Sequence, residues 1–285
     1  MLEKYLEAGK IAKQVREEAV KLIKPGVKLL DVAEFVESRI RELGGKPAFP
    51  CNISVNSDAA HFTPKANDER VFKEGDIVKL DIGVHVDGYI ADTAVTVDLG
   101  DHENLVKAAE EALRKAIEVV HAGVNTAEIS NAIYETITEF GFKPVFNLTG
   151  HGLDHYLAHA PPTIYNFRVE KGVELKEGMV IAIEPFVTNG VGKVTERGEC
   201  EIYSLIALKP VRMRQARVLV EEILKKYKTL PFAKRWVKVS EIILAKLVRE
   251  GILRAYPVLT EVSKGLVSQA EHTVIVEENG ARVIT

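Results

Sequence analysis

Two stretches of this 285-residue chain are written to one plan, and that duplication limits its possible folds more than any other feature. Residues 25–51 (PGVKLLDVAEFVESRIRELGGKPAFPC) align with residues 122–148 (AGVNTAEISNAIYETITEFGFKPVFNL) at an offset of 97. Gly26 then falls on Gly123, Gly44 on Gly141, Lys46 on Lys143 and Pro47 on Pro144. Downstream, His61 falls against His159 at an offset of 98. KEGDIVKLD (73–81) falls against KEGMVIAIE (176–184) at an offset of 103, which sets Asp81 opposite Glu184. Each copy reads as a helix, a Gly-x-x-Pro exit, a histidine, a Lys-Glu-Gly turn and a strand bearing a carboxylate. The helices follow from apolar spacing: Leu29, Val32, Phe35, Val36, Ile40 and Leu43 before Gly44-Gly45, and Ile129, Ile133, Ile137 and Phe140 before Gly141. Two such α+β units are expected to pack about an approximate twofold axis. That arrangement would bring Asp81 with Glu184, and His61 with His159, toward one central cleft.

The chain is long enough to bury a full core, and 46% of it is hydrophobic, as expected of one large domain carrying an insertion. The insertion is legible in the charge. Residues 209–256 hold 13 Lys/Arg against 4 Glu, a local +9, and the total of −3 leaves −12 for the remainder. Helical patterns near 211–226 and 240–249, broken at Leu230-Pro231 and Gly251, read as a small winged-helix-like helical subdomain inserted in a body made of 1–208 and 257–285. A strand-like stretch at 256–262 follows it, and the closing EHTVIVEENGARVIT reads as two edge strands around Asn279-Gly280. No apolar run approaches the length of a membrane span, and the start is an amphipathic helix with no signal-peptide stretch, so the cytoplasm is the expected location. Cys51 and Cys200 are too few for a disulfide framework and read as free thiols.

Five metal-capable side chains, Asp81, Asp92, His151, Glu184 and Glu271, lie inside short apolar segments, where an unpaired charge is costly and a shared dication removes the cost. The sharpest segment is 76–92, DIVKLDIGVHVDGYIAD, a hairpin pattern with one aspartate in each arm. A turn at Val86-Asp87 would pair Asp81 directly with Asp92, whereas a turn at Asp87-Gly88 would leave them diagonal on one face. Either register converges two like charges, which favours a cation between them. Each of the others has a bland reading when taken alone. Glu184 before Pro185 could be a strand-edge charge, His151 among its glycines a core histidine, and Glu271 another edge charge. The repeat and the company of the aspartates weigh against these. Carboxylates with one imidazole suit Mn²⁺, Fe²⁺, Co²⁺ or Zn²⁺, and four carboxylates exceed the needs of one ion. His155 is expected at the surface or supporting the site, and His85, His102, His121 and His272 are expected to be structural.

On the hairpin at 76–92, Gly150-His151, the EPF at 184–186 and the QxEHT at 269–273, the chain resembles the type II methionine aminopeptidases of the pita-bread fold, over essentially its whole length. Type II is suggested by the 87-residue interval from Glu184 to Glu271, which leaves room for the insert, and by Phe49-Pro50 followed by His61 in AAHFTP. Gly152 and Ala270 depart from the usual family pattern beside the ligands. The resemblance implies two divalent ions (Co, Mn, Fe or Zn) held by Asp81, Asp92, His151, Glu184 and Glu271, with Asp92 and Glu271 bridging. It also implies that His61 and His159 flank the scissile amide, that Glu184 or another ligand relays the proton, and that Phe49 lines the methionine pocket with Tyr256 nearby. The implied substrates are the N-termini of nascent polypeptides with a small second residue, and a monomer is the default expectation. Ribosomal RNA is the expected transient partner of the basic insert, with no membrane or specific DNA partner. Rival readings are a prolidase or aminopeptidase P, a relative that has lost its metals and only binds, and a nucleic-acid regulator built on the insert.

Overall fold

The computed structural model describes residues 1–285 and carries the duplication through to the backbone. Helices α1 (Leu2–Val20) and α2 (Leu29–Glu42) cover the first half, and α3 (Glu103–Glu118) and α4 (Thr126–Glu139) cover the second. The aligned glycines explain themselves. Gly26 and Gly123 have φ of 88° and 91°, Gly44 and Gly141 of 91° and 79°, and Gly75 and Gly178 of 86° and 82°, a region that side chains resist. Even isolated contacts repeat: Lys28 bridges Val71 as Asn125 bridges Glu174. No helix is long and apolar enough to cross a membrane.

A nine-stranded antiparallel sheet runs through both halves. Its main path is Lys46–Pro47, Ile77–Val86, Tyr89–Asp98, Glu271–Glu277, Val180–Ile183, Thr149–Asp154 and Leu157–Tyr165, with Asn52–Val55 and Gly280–Val283 added alongside. The two halves meet where Glu271 pairs with Ala94 and His272 with Thr93, the only two register pairs between those strands. A 31-residue apolar cluster lies under α1 and α2 and reaches Val180 and Ala182 of the second half, and a 20-residue cluster lies under α3 and α4.

The hairpin takes the second of the two registers. Gly83 pairs with Asp92 and Asp81 with Ala94, so the turn residues are Asp87 and Gly88, with φ of 49° and 90°, as a two-residue primed turn requires. The closing strands are corrected in one respect: Glu271–Glu277 is internal to the sheet, with its Thr273–Val276 run buried, and only Gly280–Val283 lies off the main path.

The expected helices of the basic segment are α5 (Arg214–Lys226) and α6 (Glu241–Arg249). They share a cluster of 12 buried residues with Leu205, Phe232 and Leu253, and these three belong to a four-stranded sheet of Phe232–Ala233, Val194–Leu205, Leu253–Glu261 and Asp58–Ala60. The strand expected from Tyr256 therefore starts three residues earlier, at Leu253. Arg254 and Tyr256 face away from the apolar cluster, which hid the strand's beginning in a charged stretch. A buried pair holds the segment to the body. Arg235 meets Glu37 of α2, Trp236 donates Nε1–H to Glu37 at 2.7 Å, and Arg235 also donates to Thr63 Oγ1 at 2.8 Å and the Pro64 carbonyl at 3.0 Å.

Candidate metal centre

One cavity of about 330 Å³ is lined by all nine residues singled out from the sequence: Phe49, His61, Asp81, Asp92, His151, His159, Glu184, Tyr256 and Glu271. Asp81 and Asp92 come from the two arms of the hairpin, diagonal on one face, and Glu271 opens the strand beside Asp92. His151 stands across from Ala182, and Glu184 follows the end of that strand where Pro185 breaks the ladder. The tightest grouping holds three of the five expected ligands. One donor atom each from Asp92, His151 and Glu271 lie within 4.8 Å of one another, with Asp81 and Glu184 bordering them in the same cavity.

The electrostatics of this grouping call for a cation. Buried oxygens of Asp81, Asp92 and Glu271 have no hydrogen-bond partner. Burial drives the carboxyls of Asp81, Asp92 and Glu271 well above the ordinary range, and neighbouring carboxylates add to it: Glu184 on Asp81, then Asp81 and Glu184 on Asp92. Burial pushes Glu184 to about 8, although a hydrogen bond from Gln269 pulls it back. The histidine adds to the conflict. His151 Nδ1 lies 3.1 Å from the Gly152 carbonyl and must carry the hydrogen there, which leaves the bare Nε2 lone pair facing Glu184 Oε1 at 3.3 Å and Asp92 Oδ2 at 3.9 Å. A lone pair aimed at carboxylate oxygens is repulsive unless a proton on Glu184 or a metal cation stands between them. The donor set, carboxylates with one imidazole, fits Mn²⁺, Fe²⁺, Co²⁺ or Zn²⁺.

The two other histidines of the cavity, His61 and His159, are neutral because of desolvation. Burial lowers His61 to about 4 and His159 to about 3. The His159 ring stands 4.4 Å from that of His151, and His61, held at a left-handed φ of 63°, meets the Tyr256 ring edge-on at 5.6 Å. The Phe49 ring crosses Gly83 so closely that a Cβ there would sit 2.2 Å from it. His155 is exposed, with Nε2 2.9 Å from the Asp87 carbonyl, and His85 accepts the Gly88 N–H inside the hairpin turn. Cys51 and Cys200 are free thiols.

Two residues of the QxEHT motif have a supporting role that the sequence reading did not assign. Gln269 reaches Glu184 at 3.4 Å and Glu271 at 3.3 Å through Nε2. The Thr273 hydroxyl takes the Asp92 N–H at 2.7 Å and donates to the Asp92 carbonyl at 2.8 Å, which locks that residue's backbone. Both stand two residues from Glu271, on the face a strand would share with it, and that periodicity was the available signal.

Comparison with known proteins gives the same answer as the geometry. The profile of metallopeptidase family M24 matches residues 3–278. A methionine aminopeptidase of Archaeoglobus fulgidus is 69% identical over 284 residues, 99% of this chain and 98% of that protein. The crystal structure of a methionine aminopeptidase from Thermotoga maritima superposes with a TM-score of 0.75 at 28% identity, covering 99% of this chain and 95% of that one. A thermophilic Arx1 superposes with a TM-score of 0.86 at 20% identity, covering 99% and 90%, a likeness of fold alone. The two helix-covered halves of one curled antiparallel sheet are the pita-bread fold. With fold and sequence in agreement along almost its whole length, the chain belongs to the methionine aminopeptidases of metallopeptidase family M24.

Proposed function

We propose that this chain removes the N-terminal methionine from nascent proteins and peptides whose second residue is small, working as a cytoplasmic monomer of the type II class. The observation that carries this reading is the meeting of Asp92, Glu184 and Glu271 with the bare nitrogen of His151, with Asp81 in the same cavity, opposite two neutral histidines and Phe49. Asp81, Asp92, His151, Glu184 and Glu271 would hold two divalent ions. Ions held there supply Lewis acidity and make water acidic enough to lose a proton near neutral pH. His159, kept neutral by burial, offers an N–H to the oxygen of the first peptide carbonyl as charge develops on it. His61 holds the scissile amide from the other side. Glu184 takes the proton from the attacking water and passes it to the leaving nitrogen. Phe49, with Tyr256 nearby, shapes an apolar slot for the methionine side chain. Such a slot discriminates by about 1–3 kcal/mol per methylene, so unbranched apolar residues should be poor substrates.

We treat residues 209–256 as a winged-helix-like insert in a catalytic body of 1–208 and 257–285. Its local +9 charge beside an acidic body favours encounter with ribosomal RNA where new N-termini emerge. Co-sedimentation with ribosomes at low salt should weaken when Arg212, Arg214 and Arg217 become Ser, and unchanged sedimentation would reject that contact.

The activity is tested with Met-Ala-Ser and X-Pro peptides, with and without chelation and with Mn²⁺, Co²⁺ or Fe²⁺ added back. Cleavage of Met-Ala-Ser alone, lost on chelation and restored by metal, is the expected result. Asp92→Ala and His151→Ala should abolish it while the fold survives by circular dichroism, and turnover retained in either variant would mean the ligands are wrongly assigned. X-Pro cleavage would favour a prolidase, and no cleavage at all a binding protein.

A further inference from the structure

The cavity has a positive charge that the chemistry above does not use. Arg254 is the one Lys or Arg side chain among its lining residues. The strand Leu253–Glu261 explains why it points there. Leu253 packs into the apolar cluster of the basic segment, so the alternate positions Arg254 and Tyr256 turn to the cleft. Their cross-strand partners are Ser204 and Ile202, and the Ser204 hydroxyl lies 3.0 Å from the Tyr256 hydroxyl, steadying the ring. No carboxylate lies within ion-pair distance of Arg254. Its guanidinium rests over the Tyr256 ring, 5.1 Å from the centroid, and this planar support holds it without neutralising it.

Depth orders the site. Asp92, His151 and Glu271 are buried, His61 is half-buried, and Arg254 is exposed, all lining the one cavity. Contacts of 5.1 Å and 5.6 Å through Tyr256 put the guanidinium at most about 11 Å from the His61 ring. An extended chain advances about 3.3–3.6 Å per residue, so that distance spans about three residues of a peptide leaving the scissile bond.

We propose that Arg254 is a specificity determinant that binds a substrate carboxylate two or three residues past the scissile bond, favouring chains with Asp or Glu at position three or four. This inference rests on the aminopeptidase reading above and extends it to sequence preference beyond the second residue. A terminal carboxylate of a short peptide offers the same chemistry as an acidic side chain, so the two sources must be separated. Because the arginine is exposed, the preference should be modest, about threefold, and should fade as salt screens the pair.

The test uses the Mn²⁺-loaded enzyme at low salt and C-terminally amidated peptides, Met-Ala-Glu against Met-Ala-Gln and Met-Ala-Ser-Glu against Met-Ala-Ser-Gln. The free acid of Met-Ala-Ser against its amide gives the terminal-carboxylate arm. The quantity read is the ratio of kcat/KM within each pair, so a general loss of activity in a variant cancels. The wild type should favour Glu over Gln in one of the two lengths, Arg254→Lys should keep part of the preference, Arg254→Gln should bring the ratio to one, and Arg254→Glu should reverse it. A terminal-acid preference without a Glu preference would overturn the side-chain assignment. A wild-type ratio of one, or a preference that survives Arg254→Gln, would overturn the role of Arg254 while leaving the aminopeptidase reading intact. Failure to cleave any Met-Ala peptide would end both.

Discussion

Asp81, Asp92, Glu184 and Glu271 oppose the stability of the metal-free protein, and the sign of that opposition can be worked out from Glu184. Its carboxyl rises from 4.5 to about 8 on burial, so between those values the folded state holds a proton that the unfolded chain has released. The stability conferred by that proton is complete below about pH 4.5 and is lost as pH climbs through about 8. Chelated enzyme should therefore melt at falling temperature from pH 5 to 8, and Asp81→Asn, which removes one like charge, should flatten the fall while abolishing turnover. Scanning calorimetry reads both, and identical slopes for the two proteins would contradict the account. The sequence announced these residues because a charge inside an apolar run is conspicuous. Gln269 and Thr273 entered only as letters of the QxEHT motif, with no role, because neutral polar side chains in a strand give no comparable signal.

At the scale of elements, the hairpin shows how far periodicity reaches. Alternation within 76–92 named the strands and the shared face but allowed two registers, which differ only in which dipeptide forms the turn. The observed register at Asp87-Gly88 sets Gly83 opposite Asp92 and clears a path for Phe49. Gly83→Ala should consequently push the ring from its place. KM for methionyl peptides should rise about tenfold, the size of a lost apolar contact, with kcat within about twofold. Steady-state kinetics decide it, and an unchanged KM would remove Phe49 from the pocket. The start of Leu253–Glu261 was illegible for a related reason: its cleft-facing positions are Arg254 and Tyr256, so polarity that reads as loop is a strand serving a polar cavity.

Over the whole molecule, the repeat revealed the architecture because its glycines occupy positions where a side chain would strain the backbone. The attachment of the basic segment left no such trace. Glu37 and Arg235 are 198 residues apart, and only their meeting in space gives either a meaning. Both are nearly inaccessible, at 5% side-chain exposure. Arg235→Met strands a buried carboxylate and should cost about 3–5 kcal/mol, whereas adding Glu37→Gln should recover much of that loss. Urea denaturation of the single and double variants tests this, and simple additivity would show that the pair is not a unit.

The two halves are stitched by just two register pairs, and Asp92 and Glu271 flank that narrow seam. A cation lodged between them is thus a fastener as well as a reagent. Its departure should loosen the stitch first, so amide protons of Ala94 and Glu271, the facing pair of the seam, would exchange with solvent sooner than those buried in either half.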